Sequence, residues 1–219
     1  GPERPFLRVW LGMDVLLSAA SREARVARGA DVLFAASALH VAWLGAEGAS
    51  RRPLVVTVAV LAVHLTMAGL FLARVPEGRP TRPTLWLPAL PSLLLGAFVG
   101  VSTGLHFSPL ATWLFALGAL GMLACMLTLG RSFGVLPGAR RLVVRGPYRL
   151  LRHPMYASEL VMFIALVLHL RVLLATGLVA LVGIALAWRI TAEEQALATL
   201  PEHVDYVARV PHRLVPGVW

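Results

Sequence analysis

The stretch Arg145-Gly146-Pro147-Tyr148-Arg149-Leu150-Leu151-Arg152-His153-Pro154-Met155-Tyr156 decides how this chain is read. It gathers arginines, a histidine and two tyrosines at the entrance of an apolar run, the composition of a segment that ends at a membrane surface. Proline suits the first turn of a helix, so a helix begins at Pro154 with His153 near its cap, and its first N–H groups point outward. Such a helix start attracts anions. Arg152 adds a planar, permanently charged fork for a carboxylate or phosphate, and Tyr156, about one turn after His153, adds a ring and a hydroxyl. Read alone, the same residues also fit plain anchoring of a helix end among headgroups.

Outward from this stretch the chain is mostly apolar. Runs long enough, or nearly so, to cross about 30 Å of hydrocarbon lie near 30–46, 54–73, 85–103, 109–129, 155–170 and 172–190. The expected fold is therefore all-α, a polytopic membrane bundle of about six transmembrane helices. The fifth run is short and is parted from the sixth only around His169-Leu170-Arg171, so the two read as a tight hairpin that does not fully span. Pro88 and Pro91 are expected to kink the third or shift its start. Ahead of the first run, residues 6–20 carry Arg8 and Asp14. Asp14 interrupts what would be a signal-peptide core, so an interfacial amphipathic helix fits better. Gly1-Pro2 reads as a protease-cleavage scar and is set aside.

Charge gives orientation and excludes whole classes of chemistry. Of 219 residues 58% are hydrophobic and 14% charged, far below the roughly 25% charged of soluble domains. All twenty basic residues are arginine, which removes lysine Schiff bases and phosphate-loop lysines. A net charge of +9 in so apolar a chain points to membrane lipids and not to nucleic acid. Seventeen arginines fall on one side of the expected topology and three (Arg51, Arg52, Arg171) on the other. Positive residues stay inside, so both termini and the 130–152 loop, with the candidate site, are expected to face the cytoplasm; the expected location is a bacterial cytoplasmic membrane. Cys125 stands alone, and no zinc-like spacing, Gly-x-Ser-x-Gly elbow or Gly-x-Gly-x-x-Gly loop is present, so no metal is expected. His40 and His64 read as intramembrane histidines bonded to a neighbouring helix, and Gly118 and Gly121 as close helix contacts.

Glu193-Glu194 follows the sixth run, on the same side as Arg152 and His153. Arg189 and Glu193, four apart, share a helix face, whereas Glu194 points about 100° away. Carboxylates opposite a helix start bearing arginine and histidine would form a zwitterionic pocket. Glu159, just inside an apolar helix, is a further candidate or else the partner of an arginine.

Together, Leu129-Gly130-Arg131-Ser132-Phe133, Arg141-Leu142-Val143, Gly146-Pro147-Tyr148-Arg149, Arg152-His153-Pro154-Met155-Tyr156, Glu193-Glu194-x-x-Leu197 and Tyr206-x-x-Arg209-Val210-x-x-Arg213-Leu214-x-Pro216-Gly217 closely resemble the isoprenylcysteine carboxyl methyltransferase and phospholipid methyltransferase superfamily. The resemblance covers about the last ninety residues. It implies an integral-membrane enzyme that takes a methyl group from S-adenosylmethionine to a lipophilic acceptor. It also implies that Tyr148, His153, Pro154, Tyr156, Glu193 and Glu194 bind the cofactor and that Arg152 and Glu194 are catalytic, with the division of labour between the two glutamates left open. Ala157-Ser158 stands where many relatives have a glycine two residues after the tyrosine. The implied organisation is an N-terminal interfacial segment (1–28), transmembrane helices without a recognised motif (29–129) and a methyltransferase-like region (130–219). Carboxyl methylation as in the isoprenylcysteine enzymes leads, with phospholipid or small-thiol methylation as the alternative. A non-catalytic headgroup-binding or transport protein is the rival of another class, and a sterol-reductase-like enzyme gains no second signature.

Overall fold

A computed structural model of the chain describes residues 5–74, 107–134 and 142–219, with side chains from residue 25 onward. Among them every regular element is helical: α1 (Pro5–Glu47), α2 (Leu54–Ala73), α3 (Pro109–Leu129), α4 (Pro154–Val167), α5 (Val172–Leu197) and α6 (His203–Arg209). Four segments are long and apolar enough to cross a membrane, Arg25–Arg51, Leu54–Ala73, Pro109–Ser132 and Val172–Leu197. The expected third span at 85–103, with Pro88 and Pro91, lies outside the described residues, as do the side chains of Arg8 and Asp14. The N-terminal segment and the first span form one continuous helix of 43 residues.

The bundle is built inside out relative to a soluble protein. Along α3, Leu110, Trp113, Leu117, Leu120 and Leu127 are exposed, whereas the buried face carries Ala111, Phe115, Gly118, Ala119, Met122 and Cys125. Large aliphatic residues outside and small ones between helices are the mark of a lipid environment, where close backbone approach drives association. Gly118 and Gly121 act as expected. A Cβ at Gly118 would lie 2.6 Å from Met162 Cγ and 3.0 Å from the Ser158 carbonyl, and one at Gly121 would lie 2.5 Å from Ser158 Oγ. These contacts pair α3 and α4 antiparallel.

Helix α4 has 14 residues, a rise of about 21 Å; it stops short of the hydrocarbon thickness as expected and turns back through residues 168–171 into α5. The α1–α2 hairpin is antiparallel as well: Phe34 stacks on Phe71 at 5.2 Å at one end, and a Cβ at Gly45 would meet Val60 at the other. Phe71 also meets Phe133 edge-on at 5.3 Å, so the C-terminal ends of α2 and α3 lie together. The start of α4 and the end of α5 join them at that end of the bundle, which is where the candidate site is built. His64 bonds the Val60 carbonyl of its own helix at 2.8 Å, not a neighbouring helix as expected: a histidine in an apolar span satisfies its ring nitrogen at the nearest carbonyl, four residues back.

Candidate functional site

Two glycines give the chain its course into the site. Gly130 ends α3 at φ 53°, and Gly146 opens the 146–149 turn at φ 55° with its Cα face against Thr128. Both angles lie in the left-handed region that glycine tolerates best. The turn carries Tyr148 inward, where the Tyr206 hydroxyl from α6 donates to its carbonyl at 2.8 Å. Burial pushes the Tyr206 phenol up to about 12 and raises that of Tyr148 further, so both remain neutral donors across the physiological range.

His153 caps α4 as expected, but the helix start offers few open N–H groups. The N–H groups of Arg152 and His153 donate to the His212 and Arg213 carbonyls at 2.9 Å each, and Tyr156 and Ala157 donate to the His153 carbonyl. Pro154 has none to give. The C-terminal strap thus occupies the backbone, and recognition at this end of α4 falls to side chains.

Those side chains form two linked clusters. In the first, the Tyr156 hydroxyl donates to Glu193 Oε2 at 2.6 Å. Its ring lies against His153 on one side, 5.6 Å away and nearly parallel, and under the Arg189 guanidinium, 4.7 Å from the ring centroid. Arg189 is fully buried and its Nη1 lies 3.9 Å from Glu159 Oε2. Glu159 therefore has the arginine partner that was one of its two expected readings.

In the second, Glu194 is surrounded by two arginines and a histidine. Its Oε1 lies 2.9 Å from Arg152 Nε and 3.3 Å from His153 Nε2, the former a charge contact without straight hydrogen-bond alignment. Its Oε2 accepts from Arg213 Nε at 2.8 Å and lies 2.7 Å from Arg213 Nη2. The two adjacent carboxylates face different partners, as the 100° step between them requires.

A cavity opens beside these clusters, with about 620 Å³ between protein atoms, its mouth included. Its walls are Leu129, Ser132 and Gly134 at the end of α3, Leu142 and Val143, and Leu197 of α5; its polar face is Tyr148, Arg152, His153, Tyr156, Glu193 and Tyr206. Five of the expected site residues thus meet at one cavity. Glu194 and Pro154 stand outside its lining, Glu194 behind Arg152 and His153, and Pro154 buried in the first turn of α4. Tyr206 and Arg213 were not expected to serve the site. Their place in the spaced Tyr206-x-x-Arg209-x-x-x-Arg213 series was the available signal, but the series alone does not say which members turn inward; Arg209 turns to the Asp205 carbonyl instead. Among the described residues no group of His, Cys, Asp or Glu is arranged to hold a metal.

The family model described as phospholipid methyltransferase matches residues 104–200. That stretch contains α3, α4, α5 and every residue of the polar face of the cavity except Tyr206; Arg213, the partner of Glu194, also lies beyond it. Residues 104–200, a little under half of the chain, are thus similar to the phospholipid methyltransferases. No curated protein matches the chain. A membrane methyltransferase acting on lipid-like substrates accounts for the apolar bundle and for a polar cavity at one of its ends. The match takes in α3 as well as the motif-bearing region that follows it.

Proposed function

We propose that the protein transfers the methyl group of S-adenosylmethionine to a carboxylate on a lipophilic acceptor, in the manner of the isoprenylcysteine carboxyl methyltransferases. The observation that carries this reading is the meeting of Arg152, His153 and Glu193 at one cavity with an aliphatic wall. The residues fit the cofactor: its amino acid end and sulfonium call for both a cationic and an anionic partner. When bound, S-adenosylmethionine would supply an activated methyl group. Glu193, its Oε2 held by Tyr156, presents negative potential to a cation in the cavity, and Tyr148 gives apolar ring surface to a nucleoside.

Arg152 orients the acceptor. A carboxylate is nucleophilic at neutral pH without losing a proton, so the chief requirement is alignment, which can supply roughly 7–11 kcal/mol of a barrier. Glu194 acts through Arg152 and His153, fixing both from behind. The wall of Leu129, Leu142, Val143 and Leu197 gives an acyl or prenyl chain a path along the end of the bundle. A second reading, methylation of a phospholipid amine, is favoured by the description of the matching family. There Glu193 would be the group placed to accept a proton.

The donor half of the reading is tested by binding. S-adenosylhomocysteine should bind the detergent-purified protein saturably and raise its unfolding temperature, as linkage requires. Glu193→Gln and His153→Ala should each weaken that binding by about tenfold, the worth of one charge-assisted contact. Unchanged affinity in both variants, measured by calorimetry, would remove the pocket from consideration.

We also propose that the cavity faces the cytoplasm, a reading supported by the arginine asymmetry. Reporter fusions at the C-terminus and in the 48–53 turn between α1 and α2 should then report opposite sides, with the C-terminus inside. The reverse signal would overturn the orientation.

A further inference from the structure

Asp31 and Arg74 lie outside the stretch that matches the family, yet Arg74 bonds a residue that flanks its cavity. Asp31 is completely buried in α1, a costly place for a carboxylate in a membrane span. It is ion-paired with Arg74 at the end of α2. Arg74 Nη1 donates in turn to the Phe133 carbonyl at 3.0 Å. Phe133 is itself buried and stands between Ser132 and Gly134, both of which line the cavity. Arg28 completes the arrangement by donating to the carbonyls of Leu72 and Arg74 at 3.0 and 3.1 Å, tying the end of α2 to α1.

From this geometry we infer that Asp31 and Arg74 are positioning residues that set the 132–134 wall of the cavity from the N-terminal hairpin. The wall follows Gly130, where α3 ends in a backbone conformation open chiefly to glycine. The turn after this break has a backbone bond of its own, from the Phe133 N–H to the Gly130 carbonyl at 3.0 Å, while the Phe133 carbonyl is bonded from outside the turn. Arg74 supplies a charge-assisted bond to the Phe133 carbonyl, and Asp31 holds the same guanidinium by its opposite charge. The Phe34, Phe71 and Phe133 rings reinforce the contact but leave the carbonyl direction undetermined, since ring packing has no such directionality. The N-terminal pair of helices would thereby act on ligand binding without touching a ligand.

The inference rests on the proposed donor pocket for one of its two readouts. Full-length protein in lipid nanodiscs, carrying Ser132→Cys in a Cys125→Ala background, is spin-labelled at position 132 and titrated with S-adenosylhomocysteine. In Arg74→Gln and Asp31→Asn the label should become more mobile, and affinity should fall by roughly 2- to 30-fold, the range that remote coupled positions command. Arg74→Lys, which keeps a cation for Asp31 and a donor for the carbonyl, should restore most of both. Label mobility unchanged from the parent in Arg74→Gln and Asp31→Asn would overturn the inference, even with a lowered unfolding temperature. Should Arg74→Gln fail to fold, the comparison of Asp31→Asn with Arg74→Lys decides in the same way. If the parent protein binds no S-adenosylhomocysteine, the donor pocket fails, while the label still reports whether Arg74 holds the wall.

Discussion

Arg152→Lys is expected to cut turnover by about 10²-fold, the cost of misplacing a reacting group by roughly an ångström, with much less effect on donor affinity. The guanidinium is held on several sides. Its Nε lies 2.9 Å from Glu194 Oε1, its backbone N–H is tied to the His212 carbonyl, and its side chain is only 8% exposed. A plane fixed in this way can turn its remaining edge to a carboxylate in the cavity. An ammonium at the end of a flexible stem concentrates its charge at one point and cannot meet Glu194 and an acceptor with the same two-pronged geometry. The loss should therefore appear in the chemical step and far less in binding. Transfer of isotopic methyl label from S-adenosylmethionine into organic-extractable lipid measures the first, and calorimetry with S-adenosylhomocysteine the second. Wild-type label transfer by the lysine variant would sink the role assigned to Arg152.

The parts of this molecule that were legible in the sequence are those set by composition and short spacing. The 109–129 run became α3 with the same bounds because Ser108 and Pro109 start it and Gly130 stops it; the Ser108 hydroxyl accepts from the Ala111 N–H at 3.2 Å. The meeting of His153, Tyr156 and Glu193 could be anticipated because one helical hairpin joins them. Contacts across long separations were not legible. Nothing near Asp31 announces Arg74 or the Phe133 carbonyl, since that contact depends on how two hairpins dock. The C-terminal strap was hidden for a related reason: its bonds to Arg152 and His153 are made by backbone carbonyls, which are the same in every residue. Its effect was to shift the recognition expected of a helix start onto side chains.

The order of the two glutamates was also beyond sequence, and it leads to a test that separates them. Glu194→Gln leaves Arg152, His153 and Arg213 crowded together without their shared anion. Breaking such a pair costs about 3–5 kcal/mol when fully buried, and less here because Glu194 keeps 14% of its side chain exposed. Arg213 sits at the rim with 35% exposure, so Arg213→Gln alone should cost far less. Removing both should recover part of the Glu194 penalty, because one uncompensated cation has gone, and the coupling should fall within about 0.5–3 kcal/mol. Glu193→Gln should show no comparable coupling with Arg213, since its contacts run to Tyr156. Its loss should instead appear in S-adenosylhomocysteine affinity, because it is the carboxylate in the cavity lining. Unfolding temperatures and binding constants for the three single and two double variants complete both cycles. Additive behaviour of Glu194 and Arg213, with coupling between Glu193 and Arg213, would reverse the assignment and make Glu194 the carboxylate that meets the ligand.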